Sequence, residues 1–167
     1  MKAEAKRDEI ADRIADFLLV EGLAAASLRP LAAAADTSDR MLLYYFKDKE
    51  RLIGAALRRL ATRQIEMLTA MGQQEPRSAA LLEAEFLALT GNDALWPFMC
   101  VWLEVAALAA RGDRLYRSIG YEIAVAFQHW IASLLALDDE QERNAAATRI
   151  LRTVEGAILL RSVGLTG

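Results

Sequence analysis

The sequence predicts an all-α protein, on three observations. Hydrophobic residues make up 54% of 167 positions, led by Ala and Leu, with only nine glycines and three prolines. That is a composition of good helix formers with few breakers. Apolar residues recur at three- and four-residue spacing, and no useful length alternates with period two. Between the periodic segments stand short clusters of the kind that stop one helix and cap the next.

The elements follow in order. Residues 3–21 read as one amphipathic helix, with Ile10, Ile14, Phe17, Leu18 and Val20 on the apolar face and Asp8, Glu9, Asp12, Arg13 and Asp16 opposite. Gly22 is a good stop. Ser27 caps a short helix from Leu28 to about Ala35, with Pro30 in its first turn, where a missing N–H is harmless. Asp36-Thr37 make a turn, and Ser38 caps a third helix, about 39–45. Lys47-Asp48 break it, and Asp48 can cap a long helix from Lys49 to about Met71. Gly72 to Pro76 is a linker. Further helices are expected at about 77–90, 94–111, 114–136 and 139–163, with turns at Thr90–Asp93, Arg111–Asp113 and Leu137–Asp139. Pro97 falls in a first turn.

This length fits one domain, or a small domain fused to a larger one, and buries a core without disulfides or metal. The lone Cys100 cannot form an internal disulfide, and the charged start, Met1-Lys2-Ala3-Glu4-Ala5-Lys6-Arg7, carries no apolar signal core. A reducing cytoplasm is the expectation. No apolar run approaches the roughly 18 residues that span a bilayer; the longest apolar-rich stretch, 94–110, is interrupted by Pro97 and Glu104. No membrane partner is expected. The net charge of −3 is unevenly spread. Residues 1–63 carry 12 Lys/Arg against 10 Asp/Glu, and residues 64–167 carry 8 against 13. The basic excess sits at the end that bears the three short-spaced helices.

Those three helices, the second and third short and joined by a tight turn, form a helix-turn-helix arrangement. In such modules the second helix of the pair lies in the major groove of DNA. The segment Ser27 to Leu52, S-L-R-P-L-A-A-A-A-D-T-S-D-R-M-L-L-Y-Y-F-K-D-K-E-R-L, resembles the DNA-binding domain of TetR-family transcriptional regulators. That family has a Thr/Ser-led second helix, an Ala-Gly-Val-Ser-like turn, and a recognition helix ending in aromatic-aromatic-Phe-x-x-Lys-x-x-Leu. The stretch Leu42–Leu52 is its most specific part, and the likeness covers about Ile10 to Leu57. Here Asp36 stands where the turn usually carries Gly; Asp tolerates left-handed backbone better than most residues. The resemblance implies an N-terminal three-helix helix-turn-helix DNA-binding domain, residues 1–48, and a C-terminal helical ligand-binding and dimerisation domain, residues 49–167, entered by the long helix 49–71. It also implies a homodimer on a palindromic double-stranded operator, released by a small molecule.

Candidate DNA contacts follow from residue chemistry. Arg40 can pair bidentately with guanine, or remain a solvated arginine beside Asp39 or Asp36. Asp39 suits the helix dipole, and either accepts from a cytosine amine or orients Arg40. Met41 can touch a thymine methyl or simply pack. Tyr44 and Tyr45 are adjacent, so one must face outward, where it can donate to phosphate. Lys49 opens a helix, where backbone N–H groups and a lysine make an anion site, or is plainly solvated. Ser27 and Ser38 are caps that can also meet phosphate, and Arg29 and Lys47 are exposed positives.

In the second half, Met67, Met71, Phe86, Trp96, Phe98, Met99 and Trp102 are candidates to line an apolar pocket, with ordinary core as the alternative. Glu104, in an otherwise apolar run, wants an arginine, a polar ligand or water. The effector expected there is apolar or amphipathic, with a cationic group drawn to Glu104 and the tryptophan faces. The apolar stripes of the last two helices include Ile123, Phe127, Trp130, Ile131, Val154 and Ile158, with small residues such as Ala145, Ala146 and Ala147 allowing close approach. Two such helices per subunit would build a four-helix dimer seam. His129 is expected in packing and Cys100 as a buried thiol. A lone histidine cannot make a metal site, and no catalytic triad or phosphate-cradling loop appears. No metal, cofactor or enzyme activity is expected. The rival reading is a helical ligand-binding or adaptor protein whose helix-turn-helix does not bind DNA.

Overall fold

The structure is a computed structural model that describes residues 2–72 and 75–165. Its helices run α1 (Lys2–Glu21), α2 (Leu28–Ala34), α3 (Asp39–Phe46), α4 (Lys49–Met71), α5 (Ala79–Leu89), α6 (Trp96–Ala110), α7 (Arg114–Ser133) and α8 (Glu140–Ser162). Each expected helix is present, with ends shifted by a few residues at most. Two residues of the expected linker, 73 and 74, lie outside the described residues.

Four helix starts share one capping geometry. Ser38 accepts from Met41 N–H at 3.3 Å, Asp48 from Arg51 N–H at 2.7 Å, Ser78 from Leu81 N–H at 3.4 Å and Asp139 from Glu142 N–H at 2.8 Å. In every case the donor lies three residues on, the usual capping geometry. Ser27 has the same extended backbone but makes no side-chain cap bond. Three residues on from Ser27 stands Pro30, which has no N–H to give. The expected Ser27 cap is thus corrected: it is a cap by position only.

The chain divides into two compact units, Met1–Arg63 with Cys100–Gly120, and Gln64–Met99 with Tyr121–Gly167. The division falls inside α4, α6 and α7. In the first unit, Ile10, Ile14 and Leu18 of α1, Leu31 of α2, Leu42 and Phe46 of α3, and Leu52, Ile53 and Leu57 of α4 are all essentially solvent-free. Each such side chain contributes roughly 1.5–3 kcal/mol by burial. Val101 and Val105 of α6 and Ile119 of α7 are buried in the same unit. Val20, expected on the apolar face, is 80% exposed. Two residues past Leu18 it points about 200° round the helix. On the polar side, Asp12 takes hydrogen bonds from Arg59 at 2.5 Å and Arg63 at 2.6 Å, fastening α1 to α4.

The second unit is built on α5 against α8. Leu82, Ile131, Ala132, Leu135, Ala146, Ala147 and Ile150 form its buried cluster. Ala146 and Ala147, expected to ease approach between subunits, instead serve packing within the unit. Phe86 stacks on Trp130 at 5.4 Å, and Phe127 meets the same indole edge-on at 6.2 Å. Arg161 of α8 bonds the Thr90 carbonyl and Asp93, and lies 4.2 Å over the Trp96 ring. An isolated parallel bridge joins Arg77 to Leu135. Arg77 N–H donates to Leu134 O, and Ala136 N–H donates to Arg77 O, both at 2.9 Å. These bonds draw the chain out of helix, so α7 ends at Ser133 rather than the expected 136.

Candidate nucleic-acid interface

The α3 helix has only eight residues, too few to be stable alone in water. Its inner face holds it. Leu42 and Phe46, four residues apart, are 0% and 1% exposed, and the Arg7 guanidinium lies 5.2 Å over the outer side of the Phe46 ring. Ser38 caps its start. Its end is set by Lys47, at φ 70° and ψ −43°, whose N–H closes on the Leu43 carbonyl at 2.8 Å.

The turn before it is also held from outside. Asp36 takes φ 50°, the left-handed backbone expected of it where a glycine is usual. Arg13, read from sequence only as solvent-face charge, donates to the Ala35 carbonyl at 3.3 Å and stands 3.8 Å from the Asp36 carboxylate. Glu9 in turn pairs with Arg13 and Lys6. The Lys6 hydrogen bond comes first in holding the Glu9 carboxyl below its usual range. Arg13 carried no signal at the sequence level beyond its charge. Only the fold brings it over the turn.

What remains outward is the predicted contact set. Ser38, Asp39, Arg40, Lys47 and Lys49 are exposed, as are Ser27 and Arg29 at the start of α2. Tyr44 is 73% and Met41 38% exposed. Tyr45 is half-buried and meets Tyr44 edge-on at 5.2 Å. The adjacent tyrosines thus split as expected, one inward and one outward. A rigid helix offering Arg, Tyr and Lys on one surface can place Arg against a base edge and the others against phosphates.

Met71 and Phe86 line a cavity of about 670 Å³ in the second unit, together with Thr69, Arg77, Glu85 and Trp130. Met67, Trp96, Phe98, Met99 and Trp102 are not part of its lining. Met99 is core at 5% exposure, and Trp96 lies under Arg161. Glu104 belongs to the first unit, where its carboxylate accepts from Leu23 N–H at 2.8 Å. Its partner is backbone, an option that residue types alone did not suggest. Nearby Tyr116 has its pKa raised, by burial first and then by the charges of Asp113, Glu104 and Glu50.

The expected seam residues also turn inward. Ile131 and Ile158 are 3% and 5% exposed within the protomer. Trp130 packs on Phe86 and donates to Thr69 at 3.1 Å. Ile123, Phe127 and Val154 are half-buried. The apolar stripes are wide because one protomer uses most of them for its own core. The large apolar groups that α7 and α8 leave out are Tyr121, Leu159 and Leu160. His129, expected in packing, is exposed, and Cys100 is half-buried rather than sealed.

An all-α chain with a braced short helix, presenting arginine and tyrosine outward from a helix-turn-helix, is a DNA-binding transcriptional regulator. Residues 9–56, under a third of the chain, match the model of the bacterial regulatory proteins of the tetR family. Over 165 residues it is 29% identical to a protein of Xanthobacter autotrophicus, named as an uncharacterized HTH-type transcriptional regulator in the dhlA 5′ region; the match covers 93% of this chain and 79% of that one. The same fold occurs in a protein of Rhodococcus sp. described as a TetR-family transcriptional regulator, with a TM-score of 0.74 at 20% identity, covering 99% of this chain and 91% of the other. A transcriptional regulator of Rhodococcus sp. Rha1 follows at 0.72 and 22%, covering 95% and 84%.

Proposed function

We propose that the chain is a repressor that binds a palindromic operator as a homodimer and lets go when a small molecule enters its second unit. Residues 1–48 are the DNA-contacting part, and residues 49–167 the regulatory and dimerising part. Protein and operator meet in the cytoplasm. The observation that carries the DNA reading is the division of α3 into an anchored face, Leu42 and Phe46, and an offered face, Arg40, Met41 and Tyr44. In this reading Arg40 reads a base, while Ser27, Arg29, Ser38, Tyr44, Tyr45, Lys47 and Lys49 hold phosphates, and Asp39 steers Arg40 or accepts from cytosine.

Dimerisation is supported by the apolar groups that folding leaves bare on α7 and α8. Tyr121 is 72%, Leu159 55% and Leu160 46% exposed, and Val163 just beyond α8 is 73% exposed. Large apolar side chains this exposed are candidates for a partner surface, and a two-fold axis supplies one. Two α3 helices would then address half-sites about 34–36 Å apart.

Regulation is supported by the 670 Å³ cavity of the second unit, within the roughly 300–1,000 Å³ usual for small-molecule sites. A ligand there acts only by binding the DNA-incompetent arrangement more tightly than the competent one. Selecting bound fragments from the source genome tests the reading. A palindrome enriched near one operon is expected, and uniform recovery of bulk DNA would contradict it.

A further inference from the structure

Arg77 is the charged side chain that the second unit buries most deeply, at 9% exposure, and it stands in the wall of the cavity. Its backbone is pinned by the two hydrogen bonds to Leu134 and Ala136, which fixes where the side chain leaves the main chain. Its Nη1 donates to the Glu85 carboxylate, whose side chain is 36% exposed. The pair is lopsided: the cation is buried, and the anion stands at the water's edge. Gly72 lies alongside, where a Cβ would sit 3.9 Å and 4.0 Å from Nη2 and Nη1. The missing side chain leaves the guanidinium bordering the open space. The same cavity is lined by Phe86 and Trp130, stacked at 5.4 Å and 22°, with the indole N–H already spent on Thr69.

A guanidinium stays charged at any relevant pH, and its planar fork fits a carboxylate bidentately. Glu85 can turn out to solvent, and an entering carboxylate can take its place without leaving the buried charge unpaired. A cationic ligand would have to pull Glu85 from a tethered arginine and would put two cations in one cavity. We propose that this cavity binds an aromatic carboxylate, with the carboxylate on Arg77 and the ring against Phe86 and Trp130. The inference deepens the effector reading above and depends on it only for the consequence at the operator.

Calorimetry on the full chain tests it with three probes of one shape: 2-naphthoate, 2-naphthamide and 2-naphthylmethylammonium. Naphthoate should bind, and the amide and the amine should bind at least about tenfold more weakly. Glu85→Gln removes the internal competitor and should tighten naphthoate by about tenfold, and Phe86→Ala should weaken all three probes together. Arg77→Met should erase the preference for the acid; if it fails to fold, Glu85→Gln decides alone. Preference for the amine, equal binding of acid and amide, a Glu85→Gln variant that weakens naphthoate, or no binding at millimolar probe would each overturn the proposal. Adding naphthoate to the operator complex is the separate arm. The predicted ranking with unchanged operator affinity would uphold the carboxylate site and refute the effector reading.

Discussion

The Glu104 carboxylate accepts a hydrogen bond from the Leu23 backbone N–H at 2.8 Å, just past the end of α1. Gly22 makes this possible twice over. It holds φ 73°, and a Cβ on it would fall 2.6 Å from Glu104 Oε1.

Glu104→Ala should therefore destabilise the protein by about 1–3 kcal/mol, the cost of orphaning a partly buried donor from a charged acceptor. Glu104→Gln, which keeps an acceptor, should cost less. Gly22→Ala carries a backbone cost of roughly 1 kcal/mol plus the clash. In a Glu104→Ala background only the backbone part should remain, so the two losses should be less than additive in urea unfolding.

Asp12 gives a pH prediction. Burial acts to raise its pKa, but the Arg59 hydrogen bond and the charges of Arg63 and Arg59 outweigh it and hold the carboxyl below its usual range. A carboxyl whose folded pKa is depressed adds stability above its unfolded value and loses it as pH falls through the folded one. Asp12→Asn should cost on the order of 1 kcal/mol near neutral pH, and the difference from wild type should shrink as pH falls below the ordinary aspartate range and vanish once it has passed the depressed folded value. A difference that persisted in acid would mean that the Asp12 charge is not what holds α1 to α4.

Helix number, helix order and the helix-turn-helix were legible because each rests on local signals: apolar spacing, caps and the Ser38–Leu52 segment. Leu42 and Phe46 inward with Tyr44 outward follows from spacing alone. The braces were not legible. Arg13 over the turn, Glu104 on Leu23 and Arg77 on Glu85 join residues whose pairing only the packed chain decides. The apolar stripes misled for a related reason. Periodicity marks a face as buried without saying whether the protomer or its partner buries it, and Ile131 and Ile158 went to the protomer.

Lys47 separates structure from contact. A non-glycine residue at φ 70° and ψ −43° is costly backbone, on the order of 1 kcal/mol. Lys47→Gly should raise stability by about that amount while weakening DNA binding through loss of a phosphate partner. Unchanged operator affinity in the stabilised variant would remove Lys47 from the contact set.

The dimer is tested at Leu159, which is 55% exposed and can be changed without disturbing the core. Leu159→Arg should keep the wild-type circular dichroism and melting behaviour yet give monomer by light scattering. Ile158→Arg, 5% exposed in the wild type, should unfold the protein instead. A Leu159→Arg protein that stays dimeric would move the seam elsewhere.

The most direct measurement is a salt titration of binding to the selected operator and to bulk DNA, for wild type, Arg40→Ala and Lys49→Ala. The logarithm of affinity should fall linearly with the logarithm of salt, by about 0.9 per phosphate neutralised. Arg40→Ala should cost about 1–3 kcal/mol on the operator and little on bulk DNA. Lys49→Ala should weaken both alike and reduce the slope by about one. A flat salt dependence, with both variants matching wild type, would contradict DNA reading by α3 and favour a helical adaptor that kept the helix-turn-helix only as a fold.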